Sequence, residues 1–515
     1  MRRSPSNSRR SWSGVRAIAV AALVAGLLAN GCAATRLTRS LTTPGEVQTL
    51  DRRSAYLKVH AKDGQLYVLS EWRADETARQ ISGRGDRLNL AREILETGPF
   101  TVSLDDVALI ETNVVQRSPA VAALAVVTGI SAAVTAFCIA QPKSCFGSCP
   151  TFYVEGATGA SLQAEGFSSS VAPSLEAPDI DALYRARLPA DGVLTVTMKN
   201  EALETHVVRH VRVLAARRPS GGRVLATLDG EFREATDARA LEACAAQEGD
   251  CLSKVHAFDG VERFSLTDGA DLARKEILEL QLPRGEGPRG LVIASRQSLA
   301  STYLFYQSLA YLGRSTGDTI AALERGDRTI GSALERLQQV LGGIEVAVET
   351  RAGTWITAGE VREMGPLASD ILVVALPRSA TGRVRLRLAR GHWRIDYLAS
   401  VRLGPRVEPE VLEPTSVRDD DGGSISKGSL TTLPGDTYTY TFQVPRNGSS
   451  HELFLDTRGY YLEWMREEWL SDENPLRAAQ LLLNPAQLLR DVAPEFKRQE
   501  AQMESLFWGS RYARQ

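Results

Sequence analysis

Three short groupings of residues offer chemistry. His206 and His210 are four apart. On a helix that spacing puts two imidazoles on one face, where they can share a metal. Here both fall in 205–214 (THVVRHVRVL), which alternates like a strand. Four residues of strand span about 13 Å, too far for both rings to reach one zinc at about 2 Å. A polar strand face is expected, and no metal site. Asp419, Asp420 and Asp421 precede Gly422-Gly423 and present the oxygen ligands that calcium takes. A calcium loop needs acids or amides at alternating places and a distal Glu. Neither is present, so the segment reads as an acidic turn. Glu463 and Glu467 lie one helical turn apart, beside Trp464 and Trp469. Paired carboxylates near aromatic rings suit glycoside hydrolysis. A solvated helix face above two packed Trp accounts for the same residues.

Ser424 and Lys427 are three apart, and the spacing resembles the Ser-x-x-Lys motif of penicillin-binding proteins, in which the amine assists deprotonation of the serine. That motif opens a helix. This copy lies in a Gly-rich stretch, 422–428, and no Ser-Asp-Asn or Lys-Thr-Gly follows. The chain also lacks G-x-S-x-G, Walker A and G-x-G-x-x-G patterns. No cofactor is expected, and no catalytic residue can be assigned.

The elements that would position these groups begin with the leader. Arg2, Arg3, Arg9, Arg10 and Arg16 precede an apolar run, 17–28, that ends at Leu28-Ala29-Asn30-Gly31-Cys32. A run of about 12 residues is short of the roughly 20 that span a bilayer. Basic start, short apolar core and small exit residues form a secretory signal. Its ending resembles the lipobox of bacterial lipoproteins, in which a Leu, small residues and a Cys direct lipid transfer to the thiol. Gly31 and Cys32 match, Leu28 sits one place further upstream than usual, and Asn30 is atypical. The resemblance implies lipidation of Cys32, which anchors a chain by burying acyl CH₂ groups at about 0.8 kcal/mol each. Residue 33 is Ala rather than the Asp that retains such proteins on the inner membrane, so the outer membrane is favoured.

The remaining cysteines are Cys138, Cys145, Cys149, Cys244 and Cys251. Cys138 lies in the uncharged stretch between Arg117 and Lys143 and is expected as a buried thiol. The other four make two local pairs, Cys145–Cys149 and Cys244–Cys251. In an exported protein these read as small disulfide-closed loops. A four-thiolate zinc site and free thiols are the alternatives, and the second spacing misses the usual zinc pattern.

Within the uncharged stretch, 120–140 is long and apolar enough to cross a membrane. It is also rich in Ala, Gly, Ser and Thr, so burial or insertion from one side is the competing expectation.

The chain has 515 residues, 43% hydrophobic and 24% charged, which is globular composition. With the five leader arginines set aside, 55 basic residues face 62 acidic ones, a net of −7. A chain so balanced has no general attraction for nucleic acid. Lys is scarce, 8 against 52 Arg, which reads as coding bias rather than a binding signal. The expected order is a signal peptide, 1–31; a linker, 32–54; a small β-barrel-like domain, 55–118; an apolar helix, 119–141; a β-rich domain, 142–265; a mixed region with a helical insert, 266–343; a β-sandwich-like domain, 344–460; and a helical tail, 461–515. The fold class is mainly β, α+β overall.

Segments 145–153 (CFGSCPTFY), 200–206 (NEALETH), 296–313 (RQSLASTYLFYQSLAYLG) and 458–470 (RGYYLEWMREEWL) resemble parts of uncharacterised bacterial envelope proteins, which implies no activity. The leading expectation is a lipid-anchored envelope protein that binds a protein or glycan partner or stabilises an assembly. The rivals are an envelope hydrolase acting on glycan or peptide, with Glu463, Glu467 or Asp421 as candidates, and a membrane-spanning envelope component.

Overall fold

The computed structural model describes residues 35–88, 94–117, 149–156, 159–186, 191–362, 365–425, 429–445, 450–464, 470 and 472–509. Cys32, Cys138, Cys145, the apolar segment 120–140, Lys427, Glu467 and Trp469 lie outside them. Among the described residues no helix is long and apolar enough to cross a membrane. The chain divides into two compact units, 1–128 and 129–515. It is mainly β, α+β overall, with helices concentrated toward the C-terminal end.

In the first unit six antiparallel strands run in the spatial order Thr35–Thr42, Val107–Arg117, Tyr56–Ala61, Leu66–Asp75, Gln80–Leu88 and Ile94–Ser103. Part of the segment expected as a linker is therefore structured. Its residues 35–42 pair with the strand that closes the unit, and Val47 and Leu50 in the turn after them enter the core. That core joins Leu57, Val59, Leu69, Ile81, Val102 and Ile110. No ladder joins the two edge strands among the described residues.

The second unit stacks sheets in layers. One outer sheet runs Ser416–Asp419, Thr437–Gln443, Val193–Lys199, Thr151–Gly156, Gly159–Glu165. It packs on a second sheet whose long members are Glu204–Arg217 and His451–Glu463. The third sheet contains Phe232–Ala240, Arg223–Thr227, Asp370–Leu376, Arg289–Gln297 and Trp393–Val407. Its first and last members also pair, so five ladders close into a ring. The fourth sheet holds Lys275–Gln281, Ala380–Ala389, Ile344–Thr350 and Trp355–Val361.

Burial follows from this layering. Val193–Lys199 has one face in the core and alternates strictly between buried and half-buried residues. Arg289–Gln297 feeds two cores: Leu291 and Ile293 pack toward the fourth sheet, Val292 and Ala294 toward the second. A strand covered on both faces reads as a continuous apolar run, here Leu291-Val292-Ile293-Ala294. Strands of 142–265 share sheets with strands of 344–460. Val193–Lys199 pairs with Thr437–Gln443, and Glu204–Arg217 pairs with His451–Glu463. The sheets thus cross the boundaries that composition suggested at 265 and 343.

A helical insert falls within 266–343, as expected. Ser298 caps Leu299–Leu312, its Oγ accepting from the Ala300 N–H at 3.2 Å. This helix packs against the C-terminal helices through Leu304, Tyr311, Leu488, Val492 and Phe496. The tail differs from expectation at its start: Tyr460–Glu463 extends a strand rather than opening a helix.

Cys244 and Cys251 are joined by a disulfide, and both sulfurs lie in the core between the third and fourth sheets. Loop closure of this size contributes about 2–3 kcal/mol. The Cys244→Ser/Cys251→Ser double variant is expected to lower the urea midpoint accordingly. An unchanged midpoint would show that the bond adds no stability.

Candidate functional site: an arginine-lined cleft

Among the described residues, the side chains singled out by sequence as catalytic or metal-ligating candidates do not form one site. His206 is fully buried, with Nε2 2.7 Å from Glu204 Oε1, which also accepts the Cys149 N–H at 2.7 Å. His210 instead pairs with Asp456, at 3.1 Å, and a register shift separates it from Val208. The two rings thus serve different carboxylates, and no metal-holding cluster is found among the described residues. Asp419 accepts the Gly423 N–H at 2.6 Å, so it closes its own turn, and Asp421 stands exposed beside it. Ser424 is exposed in a loop. Glu463 ends a strand opposite Glu204, whereas Glu467 lies outside the described residues. Trp464 donates its indole N–H to Thr205 Oγ1 at 2.9 Å. Cys149 is buried, with Sγ 3.6 Å from Glu165 Oε1.

Buried carboxylates mostly hold sheets together. Glu165 Oε2 accepts the N–H groups of Leu367 and Ala368 at 2.6 and 3.0 Å. Glu262 lies between Arg296 and Arg394, and Arg394 also pairs with Glu504 of the C-terminal helix Pro485–Gly509. Asp181 and Asp370 are neighbours on two strands, and Asp370 accepts the Ala182 N–H at 3.0 Å. Burial, then the charges of Asp179, Asp370 and Glu165, raises Asp181 well above the usual carboxylate range. Raised acids can mark a catalytic pair. Here the adjoining slot, lined by Gln163, Tyr184, Arg185, Phe258 and Ser369, measures only about 10 Å³. That is room for at most one water.

A larger concavity, about 470 Å³ and open to solvent, lies on the third sheet. Three segments build it. The first is an irregularity in Phe232–Ala240 between Thr236 and Arg239, where Asp237 takes a φ of +53°. Such bulges re-aim side chains. The second is the loop Pro283-Arg284-Gly285-Glu286, and the third is Ser400-Val401-Arg402. The lining carries Arg239, Arg284, Arg289 and Arg402 against Asp237 and Glu286.

Their partners differ. Arg239 is neutralised by Asp237 at 2.7 Å and also donates to the Arg284 carbonyl. Among the described residues Arg289 donates to the carbonyl oxygens of Pro283 and Ala380 and to no carboxylate. Arg402 donates to Thr236 Oγ1 at 3.4 Å and meets no carboxylate among the described residues. Arg284 and Glu286 make no ion pair among the described residues. Arg289 and Arg402 also stand directly opposite each other in adjacent strands, an arrangement that like charges make unfavourable.

Several arginines on other open sheet faces are matched. Arg383, Arg385 and Arg387 on one strand pair with Glu349, Glu279 and Glu345 of its neighbours, and Arg406 pairs with Glu231. The cleft gathers three arginines without an ion pair among the described residues. No sequence motif flagged it, because its four arginines are spread over 164 positions. The Pro- and Gly-rich run 283–290 (PRGEGPRG), with two arginines in eight residues, was the available signal.

No protein-family model matches the chain, and no curated protein matches it.

Proposed function

We propose that this protein is held at the cell envelope by a lipid on Cys32 and acts there by binding rather than by catalysis. One observation carries the binding half. The cleft presents four guanidinium groups against two carboxylates, one of which, Asp237, is held by Arg239, while buried acids such as Glu165 and Glu262 are taken up by backbone N–H groups and arginines. A glycoside hydrolase would need two carboxyls about 5–10 Å apart across a cleft. The leader ending Leu28-Ala29-Asn30-Gly31-Cys32 supports the anchored half, and the Cys244–Cys251 disulfide suits an oxidising compartment. Ala33 favours the outer membrane.

Metabolic labelling with a clickable palmitate tests the anchor. The wild-type chain should take up label and fractionate with membranes. Cys32→Ala should remain an unlabelled precursor, because the thiol is the acyl acceptor. Equal labelling of the variant would overturn the assignment.

A further inference from the structure

We infer that the cleft binds a ligand bearing at least two phosphate or carboxylate groups, held chiefly by Arg284 and Arg402. The inference rests on the binding role proposed above and names the chemistry of the ligand. Three features lead to it. First, the lining has four guanidiniums against two carboxylates, and three of the four have no acidic partner among the described residues. An uncompensated charge cluster is a local cost, and such departures concentrate at functional sites. Second, a guanidinium presents a planar fork of donors that fits carboxylate and phosphate oxygens two at a time. With Arg239 occupied by Asp237 and Arg289 tied to two carbonyls, the guanidiniums of Arg284 and Arg402 keep most of their donors available. Two such forks call for two anionic groups. Third, a volume of about 470 Å³ falls within the range of small-ligand sites, about 300–1,000 Å³. It is far more than one phosphate fills.

The surroundings make the site selective rather than generally sticky. The chain beyond the leader is net negative, so an anion is repelled by the surface at large and attracted only where the local balance is positive. Pro283 restricts the loop backbone, and the irregular strand at Asp237 re-aims the side chains of another wall.

The test uses the detergent-solubilised full chain and two probes. Inorganic pyrophosphate represents a free small anion, and polygalacturonate represents anionic groups borne on a glycan. Calorimetric titration at low salt should detect at least one of them. Arg284→Ala/Arg402→Ala should weaken that binding at least tenfold. Arg418→Ala removes an exposed arginine from another sheet and should leave it within twofold. In the wild-type chain, amide exchange in residues 283–289 should slow when the probe is added, a readout independent of how the variants fold. Response to pyrophosphate assigns a free anion as the source; response to polygalacturonate alone assigns a polymer-borne one. No binding of either probe at millimolar concentration, or equal loss in Arg418→Ala, would overturn the inference. Labelling of Cys32 is untouched by either result, so a failed cleft and a failed anchor are told apart.

Discussion

Arg263→Met is expected to destabilise the second unit by about 3–5 kcal/mol, the usual cost of stranding one member of a buried ion pair. Arg263 is 1% exposed and belongs to the short strand Arg263–Phe264 beside the closed ring of ladders. Its guanidinium meets both oxygens of Glu276 at 2.7 Å and Glu248 at 2.8 Å. Ser265 Oγ donates to Glu276 at 2.6 Å. Glu248 reaches solvent, but Glu276 does not. Without the arginine, the Glu276 carboxylate keeps one hydroxyl donor in a site closed to water. The pair also links two layers, since Glu276 lies on Lys275–Gln281 of the fourth sheet. Arg263→Met/Glu276→Leu removes both charges and should recover much of the loss, because packed apolar residues replace a buried pair at little cost. Urea unfolding at constant slope measures both. Equal destabilisation of the single and double variants would show that packing, not the stranded charge, sets the cost.

That same pair explains part of what the sequence hides. In Lys275–Gln281 the inward positions are Glu276, Leu278 and Leu280, while Ile277 faces out at 46% exposure. An alternating pattern with Glu on the core side and Ile on the solvent side contradicts the strand template, so the segment reads as mixed. Only the distant Arg263 makes Glu276 an acceptable core residue. Arg289–Gln297 is obscured differently: its run of apolar residues, buried on both faces, has no period at all. By contrast Val193–Lys199 and Ile344–Thr350 are legible because one face of each meets the core and the other does not. The helix Leu299–Leu312 is legible from its Ser298 cap and its apolar length.

Pairing partners were not legible. Glu204–Arg217 finds His451–Glu463 some 240 residues later, and no local pattern encodes so distant a neighbour. The cleft was hidden by the same physics. Each of its arginines is one of 52 in the chain, and only the ladder that sets Arg289 beside Arg402 makes them exceptional.

Between pH 4 and pH 7 the wild-type chain is expected to lose up to about 3 kcal/mol of stability relative to Asp396→Asn. Asp396 is 1% exposed. Its carboxyl is raised to about 6 from an ordinary 3.8, chiefly by burial and also by Glu262, against the opposing pull of the Gly260 and Asp259 N–H groups and Arg185. A shift of about two units corresponds to roughly 3 kcal/mol. The folded chain holds this proton more tightly than the unfolded one. The stabilisation is therefore complete below about pH 4 and is withdrawn as pH rises through about 6. His392 acts in the opposite sense. Burial holds it down to about 4 from 6.5, ahead of the smaller effects of the Leu272 carbonyl and Lys275, so it favours the fold above pH 6.5 and withdraws that support as pH falls toward 4. The two groups partly cancel in the overall profile, and for that reason the difference between wild type and variant is the quantity to measure. Asparagine keeps the shape and one acceptor but cannot ionise. Its amide facing the Gly260 N–H adds an offset that does not vary with pH. Urea midpoints for both chains at half-unit intervals give the difference curve. A curve flat from pH 4 to 7 would show that Asp396 titrates in the fold as it does in water, and that Arg185, 3.7 Å away, offsets the burial in full.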